Sequence, residues 1–195
     1  MQISLADRFS DGWTALVPSL IIDGTDLPVW RPPIPDEIKG DPEAEFYYLQ
    51  NWFSFKLRTY AIKYEIGVHV LTGKIVWIYG PKRGAVHDGR LTRERLLKVL
   101  PKGERALADR GYSGVPGCLT PMKGRRNATD KRLDDIRRKV ERVIGRIKFF
   151  NILYREYRGN LDLHPAIFDV VCRIVNINLK DQPIRKLPKR EFADD

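Results

Sequence analysis

Three acidic residues of this chain stand where carboxylates from separate elements can meet. The apolar run in "ALVPSLIIDGTDLPVW" predicts a buried strand that ends near Asp23, and "RALAD" predicts a short strand that ends at Asp109. Sites in open α/β sheets form at the carboxyl ends of strands, so these two carboxylates converge if the strands are neighbours. The third acid, Glu141, lies in the strongly basic stretch "RRKVERVIGRIKFF".

Glu141 belongs to a predicted long helix, on the flank of its apolar stripe. With an advance of about 100° per residue, Glu141 lies about 110° from the centre of the stripe that is expected to face the core. Glu141 is therefore expected where the core meets solvent, within reach of the edge of the sheet. The apolar stripe consists of Leu133, Ile136, Val140, Ile144 and Ile147.

A cluster of three carboxylates needs cations, because unpaired like charges in one site repel each other strongly. Oxygen ligands from Asp and Glu suit a hard ion such as Mg²⁺ or Mn²⁺, and the chain has only 3 histidines. Two such ions bridged by carboxylates are the usual machinery for cutting and joining phosphodiesters. The pattern therefore predicts a two-metal site of Asp23, Asp109 and Glu141.

Each of these acids also has an ordinary structural explanation. Asp23 in "DGTD" is typical of a turn, where Asp26 competes for the same role, and Asp109 in "DRGYSG" can start a turn. Glu141 can simply form an exposed ion pair with Arg137 or Lys148, worth about 0.3–0.5 kcal/mol.

The net charge of +10 is concentrated in one segment of the chain. Residues 123–158 contain 13 Lys and Arg against 5 Asp and Glu, which indicates either a well-solvated helix or a surface for a polyanion such as DNA. A membrane-surface role is disfavoured, because the apolar stripe of the helix is needed for the core. No apolar run is long enough to span a membrane, the N-terminus lacks the pattern of a secretory signal, and the 2 cysteines do not demand a disulfide. The candidate phosphate contacts are Arg137, Arg138, Arg142, Arg146 and Lys148.

The predicted order of elements is strand, hairpin, helix, strand, helix and a further helix, which favours a mixed sheet covered by helices. An exposed loop is expected over 31–45, a hairpin over 56–80 with Gly73 at its turn, and a short strand at "CLTPM". The first helix is predicted over 91–100 with Thr92 as N-cap. The second is a long helix capped by Thr129 or Asp130 that ends at about Phe150. The third is predicted over 162–180, and it is expected to be buried because it is apolar nearly all round.

Five blocks of the chain resemble, in order, those of a DDE superfamily endonuclease of the Harbinger type. They are "IIDGTDLPVW", "GAVHDGRL", "ALADRGYSG", "RRKVERVIGRIK" and "VCRIVNINL", and the resemblance covers roughly residues 17–180. It implies an α/β fold with an RNase H-like mixed sheet flanked by helices. The resemblance assigns Asp23, Asp109 and Glu141 as the catalytic and metal-binding acids, and it adds Asp88 of the "HD" block as an auxiliary ligand or a helix-entry residue.

The same resemblance implies a transposase that hydrolyses and rejoins DNA with two Mg²⁺ or Mn²⁺ ions. It also implies a Myb-like companion protein as a candidate partner. Members usually carry a helix-turn-helix region ahead of the first Asp, whereas 22 residues precede Asp23 here, so we expect poor sequence discrimination. The expected domains are an extension over 1–16, the catalytic domain over 17–180 and a tail over 181–195. The expected location is the nucleus in a eukaryote and the cytoplasm otherwise, and the oligomeric state stays open. The alternative is a truncated or domesticated chain that binds DNA without cutting it.

Overall fold

Strand β1 (Leu20–Pro28) lies inside a mixed sheet and is paired along both edges. It runs antiparallel to β3 over its whole length, from Leu20 opposite His69 to Pro28 opposite Ala61. Its other edge is parallel to the two-residue strand β5, with Leu20 opposite Ala106. The structure is a computed structural model that describes residues 3–4, 18–121 and 128–184, and for 128–133 it describes the backbone alone. Residues 185–195 of the predicted tail and most of the N-terminal extension lie outside the described residues.

The predicted strands and helices occur in the predicted order, with additional short elements between them. The sheet has the order β2-β3-β1-β5-β6, and β4 pairs with β3 in a hairpin that turns at Gly73, which confirms the predicted hairpin. The remaining strands are β2 (Phe53–Ser54), β3 (Thr59–His69), β4 (Ile75–Arg83), β5 (Ala106–Leu107) and β6 (Cys118–Leu119). The helices are α1 (Pro42–Gln50), α2 (Asp88–Leu91), α3 (Leu97–Val99), α4 (Ala128–Lys148), α5 (Asn151–Tyr154) and α6 (His164–Asp181). This mixed sheet flanked by helices agrees with the predicted RNase H-like α/β fold.

Alternation along β1 divides the core into two clusters, one on each face of the sheet. Ile21 and Leu27 point to the face covered by α4 and α6, where Val140, Val143 and Phe168 are fully buried. The opposite face is covered by the α2–α3 segment and by the turns after β5. Its cluster consists of Leu20, Ile22, Val76, Leu96, Ala106, Ala108, Tyr112 and Val115.

The helical segment after β4 begins earlier than predicted. His87 caps it by accepting the backbone N–H of Gly89 at 3.2 Å, so Asp88 is the first helical residue. Thr92 is fully buried and donates its hydroxyl to Glu65, so its predicted role as N-cap is wrong. Residues Thr92–Leu96 form a π-helical turn between α2 and α3. The hydroxyl of Thr92, which the local sequence assigned to a helix N-terminus, thus binds the buried carboxylate of Glu65 on β3.

Helix bounds and faces also differ elsewhere. Helix α1 occupies the end of the segment that was expected to be a loop, with Asp41 as its N-cap. Helix α4 starts at Ala128, so Thr129 and Asp130 lie inside it rather than before it.

The prediction that α6 is buried all round is wrong. Val170, Ile174 and Ile177 are exposed, because the sheet covers one side of the helix only. No helix in the described part of the chain has the length and apolar character of a membrane span. Both cysteines are free thiols.

One buried histidine should make stability depend on pH. His164 is completely buried, its Nδ1 lies 2.9 Å from the Tyr64 hydroxyl, and burial lowers its pKa to about 4. Between about pH 4 and 6.5 the unfolded chain therefore binds the proton more readily, and stability falls as pH falls through this window. His164→Phe should remove this dependence while leaving the Tyr64 hydroxyl without a partner at every pH.

The measurement is urea unfolding of both chains at pH 7.5 and pH 4.5. We expect wild type to lose about 2–3 kcal/mol more than His164→Phe between the two conditions. Equal losses in the two chains would show that His164 is protonated without cost in the folded state.

Candidate active site

The carboxylates of Asp23 and Asp109 lie together where β5 ends beside β1. Ile21 of β1 is opposite Leu107, the last residue of β5, so each acid follows its strand partner by two residues. The prediction that β1 ends near Asp23 is wrong, because β3 pairs with the strand as far as Pro28. The convergence of Asp23 and Asp109 nevertheless holds, since β5 stops at this level and opens one edge of β1.

Asp23 is held in an environment that disfavours its charge. Burial raises its pKa to about 6, and the neighbouring charge of Asp109 is the next largest cause. The charge of Asp88 also raises it, by less than that of Asp109. The cations Lys56 and Arg137 act in the opposite direction and lower it. The folded chain therefore keeps two acids close together at a site where burial and mutual repulsion disfavour the charged form of Asp23.

Asp109 and Tyr112 belong to one tight turn after β5. Asp109 caps a 3-10 turn (Arg110–Tyr112) by accepting the backbone N–H of Gly111 at 2.8 Å. The turn brings the hydroxyl of Tyr112 into the interior, where it has no hydrogen-bond partner among the described residues. Burial raises the pKa of Tyr112, and so do the charges of four surrounding carboxylates, those of Glu65, Asp88, Asp23 and Asp109.

Asp88 reaches the same region from the other face of the sheet. Its carboxylate lies directly over Gly24, where a Cβ atom would come within 2.6 Å of the Asp88 Cγ. Glycine at this position of β1 is therefore what lets α2 bring the acid against the strand. Asp88 Oδ1 accepts a hydrogen bond from Lys63 Nζ at 2.7 Å.

Asp26 is a buried strand residue and not a turn residue. Its Oδ2 accepts the Ser54 hydroxyl at 2.5 Å, and its Oδ1 lies 3.5 Å from Lys63 Nζ. Lys63 stands opposite Asp26 on β3 and is itself almost completely buried. Asp26 is thus held by two direct partners, Ser54 and Lys63, which distinguishes it from Asp23.

Glu141 is exposed on α4 and is bound to a neighbour on its own helix. Its Oε1 lies 2.8 Å from Arg137 Nη1, one turn earlier, which is the ion pair that the sequence offered as the simpler explanation. Glu141 is not among the charges that shift the pKa of Asp23, whereas Arg137 is. Arg137 therefore pairs with the helix acid and also acts on the strand acid Asp23.

Three cations surround the acid pair. Lys56 lies in the turn between β2 and β3, and Arg137 and Lys148 project from α4. Burial and the charge of Lys56 lower the pKa of Lys148, while Asp26 and Asp23 raise it. The sequence-predicted Lys148 thus lies at the site.

The other predicted contacts of α4 are exposed or have partners of their own. Arg138 and Arg142 are exposed, and Arg138 Nη1 lies 3.0 Å from Asp135 Oδ1 at the surface. Arg146 donates to the backbone oxygen of Gln182 at 2.7 Å, which fixes it against the end of α6. Arg138 and Arg142 are therefore the α4 arginines best placed for a ligand in solvent.

The described residues meet the requirements of a divalent cation in part. Asp23 and Asp109 supply two carboxylates whose repulsion a cation would relieve. No group of three acidic, His or Cys residues within the described ranges is close enough to hold a metal ion. Two of the three predicted acids are therefore assembled, and Glu141 stands outside.

Three residues of this region were not predicted as site residues from sequence. Tyr112 lies in the quoted "DRGY" motif, but only the fold shows that its hydroxyl faces the acids. Lys63 is a lysine within an apolar strand, which is a signal for a buried ion pair, although its partners could not be read from the sequence. Lys56 is placed by the β2–β3 turn, and no local pattern indicates this.

Comparison with known proteins agrees with this geometry. The sequence profile of a family described as DDE superfamily endonuclease matches residues 22–176, a range that contains Asp23, Asp88, Asp109 and Glu141. The chain is 28% identical to a probable transposase for insertion sequence element IS702 from Microchaete diplosiphon, over 82% of this chain and 57% of the relative. It thus spans little more than half the length of that relative. No solved structure matches the chain.

The profile describes a superfamily, and the relative is a transposase of an insertion sequence, so the Harbinger type stays a prediction. Enzymes of this superfamily generally use divalent metal ions. With the matched range covering most of the chain and both strand acids in place, the chain belongs to the DDE superfamily endonucleases.

Proposed function

We propose that this chain is the catalytic core of a divalent-metal-dependent DNA transposase, which hydrolyses and transfers phosphodiester bonds. The observation that carries the proposal is the pair of Asp23 and Asp109, held side by side at the end of β5, where burial and the charge of Asp109 raise the pKa of Asp23. The family match supports the reaction class, and the transposase relative supports DNA as the substrate.

Asp23 and Asp109 are the residues that would hold Mg²⁺ or Mn²⁺ in this proposal. Because the pKa of Asp23 is raised to about 6, a cation competes with a proton for its carboxylate, and occupancy rises with pH through this range. In this proposal Glu141 joins them once its ion pair with Arg137 opens and frees the carboxylate. Two bound ions would activate the attacking oxygen and stabilise the leaving one.

The cations around the acids would position the DNA backbone. Lys56 and Lys148 lie next to Asp23, so a phosphate placed between them would stand beside the acids. Arg138 and Arg142 extend the positive surface along α4, where contacts to phosphates add affinity without reading sequence. The Myb-like companion and the nuclear location have no support in the comparisons and stay predictions from the resemblance.

A second function is favoured by a specific observation. Glu141 is paired with Arg137 at 2.8 Å, and the described residues contain no cluster of three acids, which is the arrangement expected of a chain that binds DNA without cutting it. Metal-dependent nicking separates the two functions.

Removing the charge of Asp23 should stabilise the metal-free chain. Its raised pKa means that the unfolded state releases this proton more readily, so ionisation of Asp23 lowers stability as pH rises from about 4 to 6. Asp23→Asn should raise the free energy of unfolding by about 1–2 kcal/mol at pH 7.5 in EDTA, with the gain shrinking toward pH 4.

Asp26→Asn is the matched control, since the same substitution three residues away removes a charge that Lys63 needs. It should lower the free energy of unfolding in the same urea titrations. A stabilising Asp26→Asn, or a destabilising Asp23→Asn, would mean that the electrostatic difference between these two acids has been misjudged.

The three predicted acids are tested by relaxation of supercoiled plasmid. Asp23→Asn, Asp109→Asn and Glu141→Gln should each abolish nicking in Mg²⁺ and Mn²⁺, because each removes a ligand charge while keeping shape and volume. Asp134→Asn and Glu156→Gln are matched controls at exposed ion pairs and should retain activity. Circular dichroism of every variant reports the fold.

The outcomes of the plasmid assay test the role of Glu141 and distinguish the two proposed functions. Wild-type rates in Glu141→Gln would remove this residue from the site and leave the two strand acids alone. A folded wild-type chain without any metal-dependent nicking would favour the function in DNA binding without cleavage.

DNA affinity of the chain should fall steeply with salt. Each phosphate contact contributes a slope of about 0.9 in log K against log salt concentration. Replacing Arg138 and Arg142 together by Ala should flatten that slope by roughly 1–2 units, measured by fluorescence anisotropy on random duplex DNA. Arg95→Ala with Lys98→Ala removes two charges from the α2–α3 side and should leave the slope unchanged. If both double variants flatten the salt slope equally, DNA binding depends on the net charge of the chain and not on contacts from α4.

A further inference from the structure

A cavity of about 210 Å³ lies between β1, the turn that joins β2 to β3, and the segment that joins β4 to α2. Its lining includes Gly24 of β1, Phe55 and Lys56 of the turn, and His87 and Asp88 at the start of α2. This Phe55 cavity is smaller than the roughly 300–1,000 Å³ of pockets for drug-sized ligands. Its size therefore suits one small ring system.

The Phe55 cavity adjoins the acids of the candidate active site. Gly24, which lines the cavity, directly follows Asp23 in β1. Lys56 lines the cavity too, and its charge lowers the pKa of Asp23, while the charge of Asp88 raises it. A ligand in the cavity would therefore stand close to the carboxylates that are proposed to hold metal.

Phe55 offers an aromatic surface at this cavity. Its side chain is 77% exposed. The ring lies nearly perpendicular to that of Phe53, with centroids 5.3 Å apart, and this contact supports the ring while most of its surface stays open. Single exposed aromatic residues are common on protein surfaces, but one that borders a polar cavity of this size can stack on a planar ligand.

The charges that line the Phe55 cavity balance one another. Two lysines, Lys56 and Lys63, stand beside two carboxylates, Asp26 and Asp88. Lys63 Nζ lies 2.7 Å from Asp88 Oδ1 and 3.5 Å from Asp26 Oδ1. A phosphate in the cavity would meet the repulsion of both carboxylates, so the cavity suits a neutral polar ligand better than an anion.

The lining of the cavity supplies both an acceptor and a donor of hydrogen bonds. A carboxylate can accept about four hydrogen bonds, so Asp88, whose side chain is 32% exposed, can accept more than the one that Lys63 donates. His87 Nδ1 accepts the backbone N–H of Gly89, so the neutral ring carries its proton on Nε2, which can donate. An aromatic ring beside an acceptor and a donor matches the chemistry of a nucleobase.

We propose that the Phe55 cavity binds one unpaired nucleobase of the DNA strand at the acids, and that it prefers adenine, cytosine or guanine to thymine. The amino group of the first three bases donates to Asp88, whereas the only ring N–H of thymine lies between two carbonyl oxygens that a carboxylate repels. Phe55 stacks on the base, and Lys56 is placed for the adjoining phosphate. A base inside a duplex cannot enter the cavity, so the strand is unpaired there. The inference rests on the proposed function, because it takes DNA as the ligand.

The first experiment measures binding of short, labelled, single-stranded oligonucleotides to the full chain by fluorescence anisotropy, in EDTA so that no strand is cut. One oligonucleotide contains thymine only, and two others carry a single adenine or a single cytosine at the centre. Wild type should bind the latter two roughly fivefold more tightly than the first. Asp88→Asn should remove this preference, because an amide can donate to thymine as well as accept from an amino group.

Stacking is tested with substitutions of the exposed aromatic ring. Phe55→Ala should weaken binding of the adenine-containing oligonucleotide by roughly tenfold, and Phe55→Trp should retain it, since stacking requires an aromatic ring and not phenylalanine itself. Phe46→Ala is the matched control, because Phe46 is a 61% exposed phenylalanine on α1 that does not line the cavity. It should bind like wild type, and circular dichroism verifies that every variant is folded.

Equal binding of the three oligonucleotides by folded wild type would overturn the inference, and so would equal effects of Phe55→Ala and Phe46→Ala. Plasmid nicking distinguishes this failure from a failure of the proposed function. A chain that nicks plasmid in Mg²⁺ without any base preference keeps the function and loses the base site. A chain with the preference but without nicking supports the base site in a protein that binds DNA without cutting it.

Discussion

The parallel pairing of β1 with the two-residue strand β5 forces two carboxylates together, and the chemistry of the chain depends on this constraint. Since Ile21 is opposite Leu107, Asp23 and Asp109 follow at the same level, and burial together with mutual repulsion raises the pKa of Asp23 to about 6. A folded protein keeps such a pair only at a cost in stability, which a bound cation would offset. The sheet therefore works as a rigid support that holds an unfavourable arrangement ready for a ligand.

The neighbouring acids of this region have different hydrogen-bond and ion-pair partners. Asp26, three residues from Asp23, receives a hydroxyl from Ser54 and a charge from Lys63, and Asp88 uses the same lysine from the other side. Lys63 thus pairs with Asp26 and Asp88. Lys56 and Arg137 instead lower the pKa of Asp23, and Lys148 lies near the same acid. This division explains why one pair of acids, and not every acid of the region, is available to a metal ion.

Fold class and the convergence of Asp23 with Asp109 were predictable from the sequence, because both follow from the order of elements and from the rule that sites form where strands end. The end of β1 was not, since "DGTDLP" looks locally like a turn and only its nine-residue pairing with β3 keeps it extended. Glu141 was placed correctly on the flank of α4, but helix geometry alone could not decide between the strand acids and Arg137 one turn away. The exposed face of α6 was missed because an apolar composition does not tell which neighbours a helix will have.

The central claim is that Asp23 and Asp109 hold a divalent ion, and electron paramagnetic resonance of Mn²⁺ tests it without requiring turnover. The signal of free Mn²⁺ in solution should fall when folded wild-type chain is added at pH 7.5. Asp109→Asn should abolish this loss of signal, while Asp134→Asn should leave it intact. Equal binding of Mn²⁺ by wild type and Asp109→Asn, or no binding by a folded wild type, would contradict the claim.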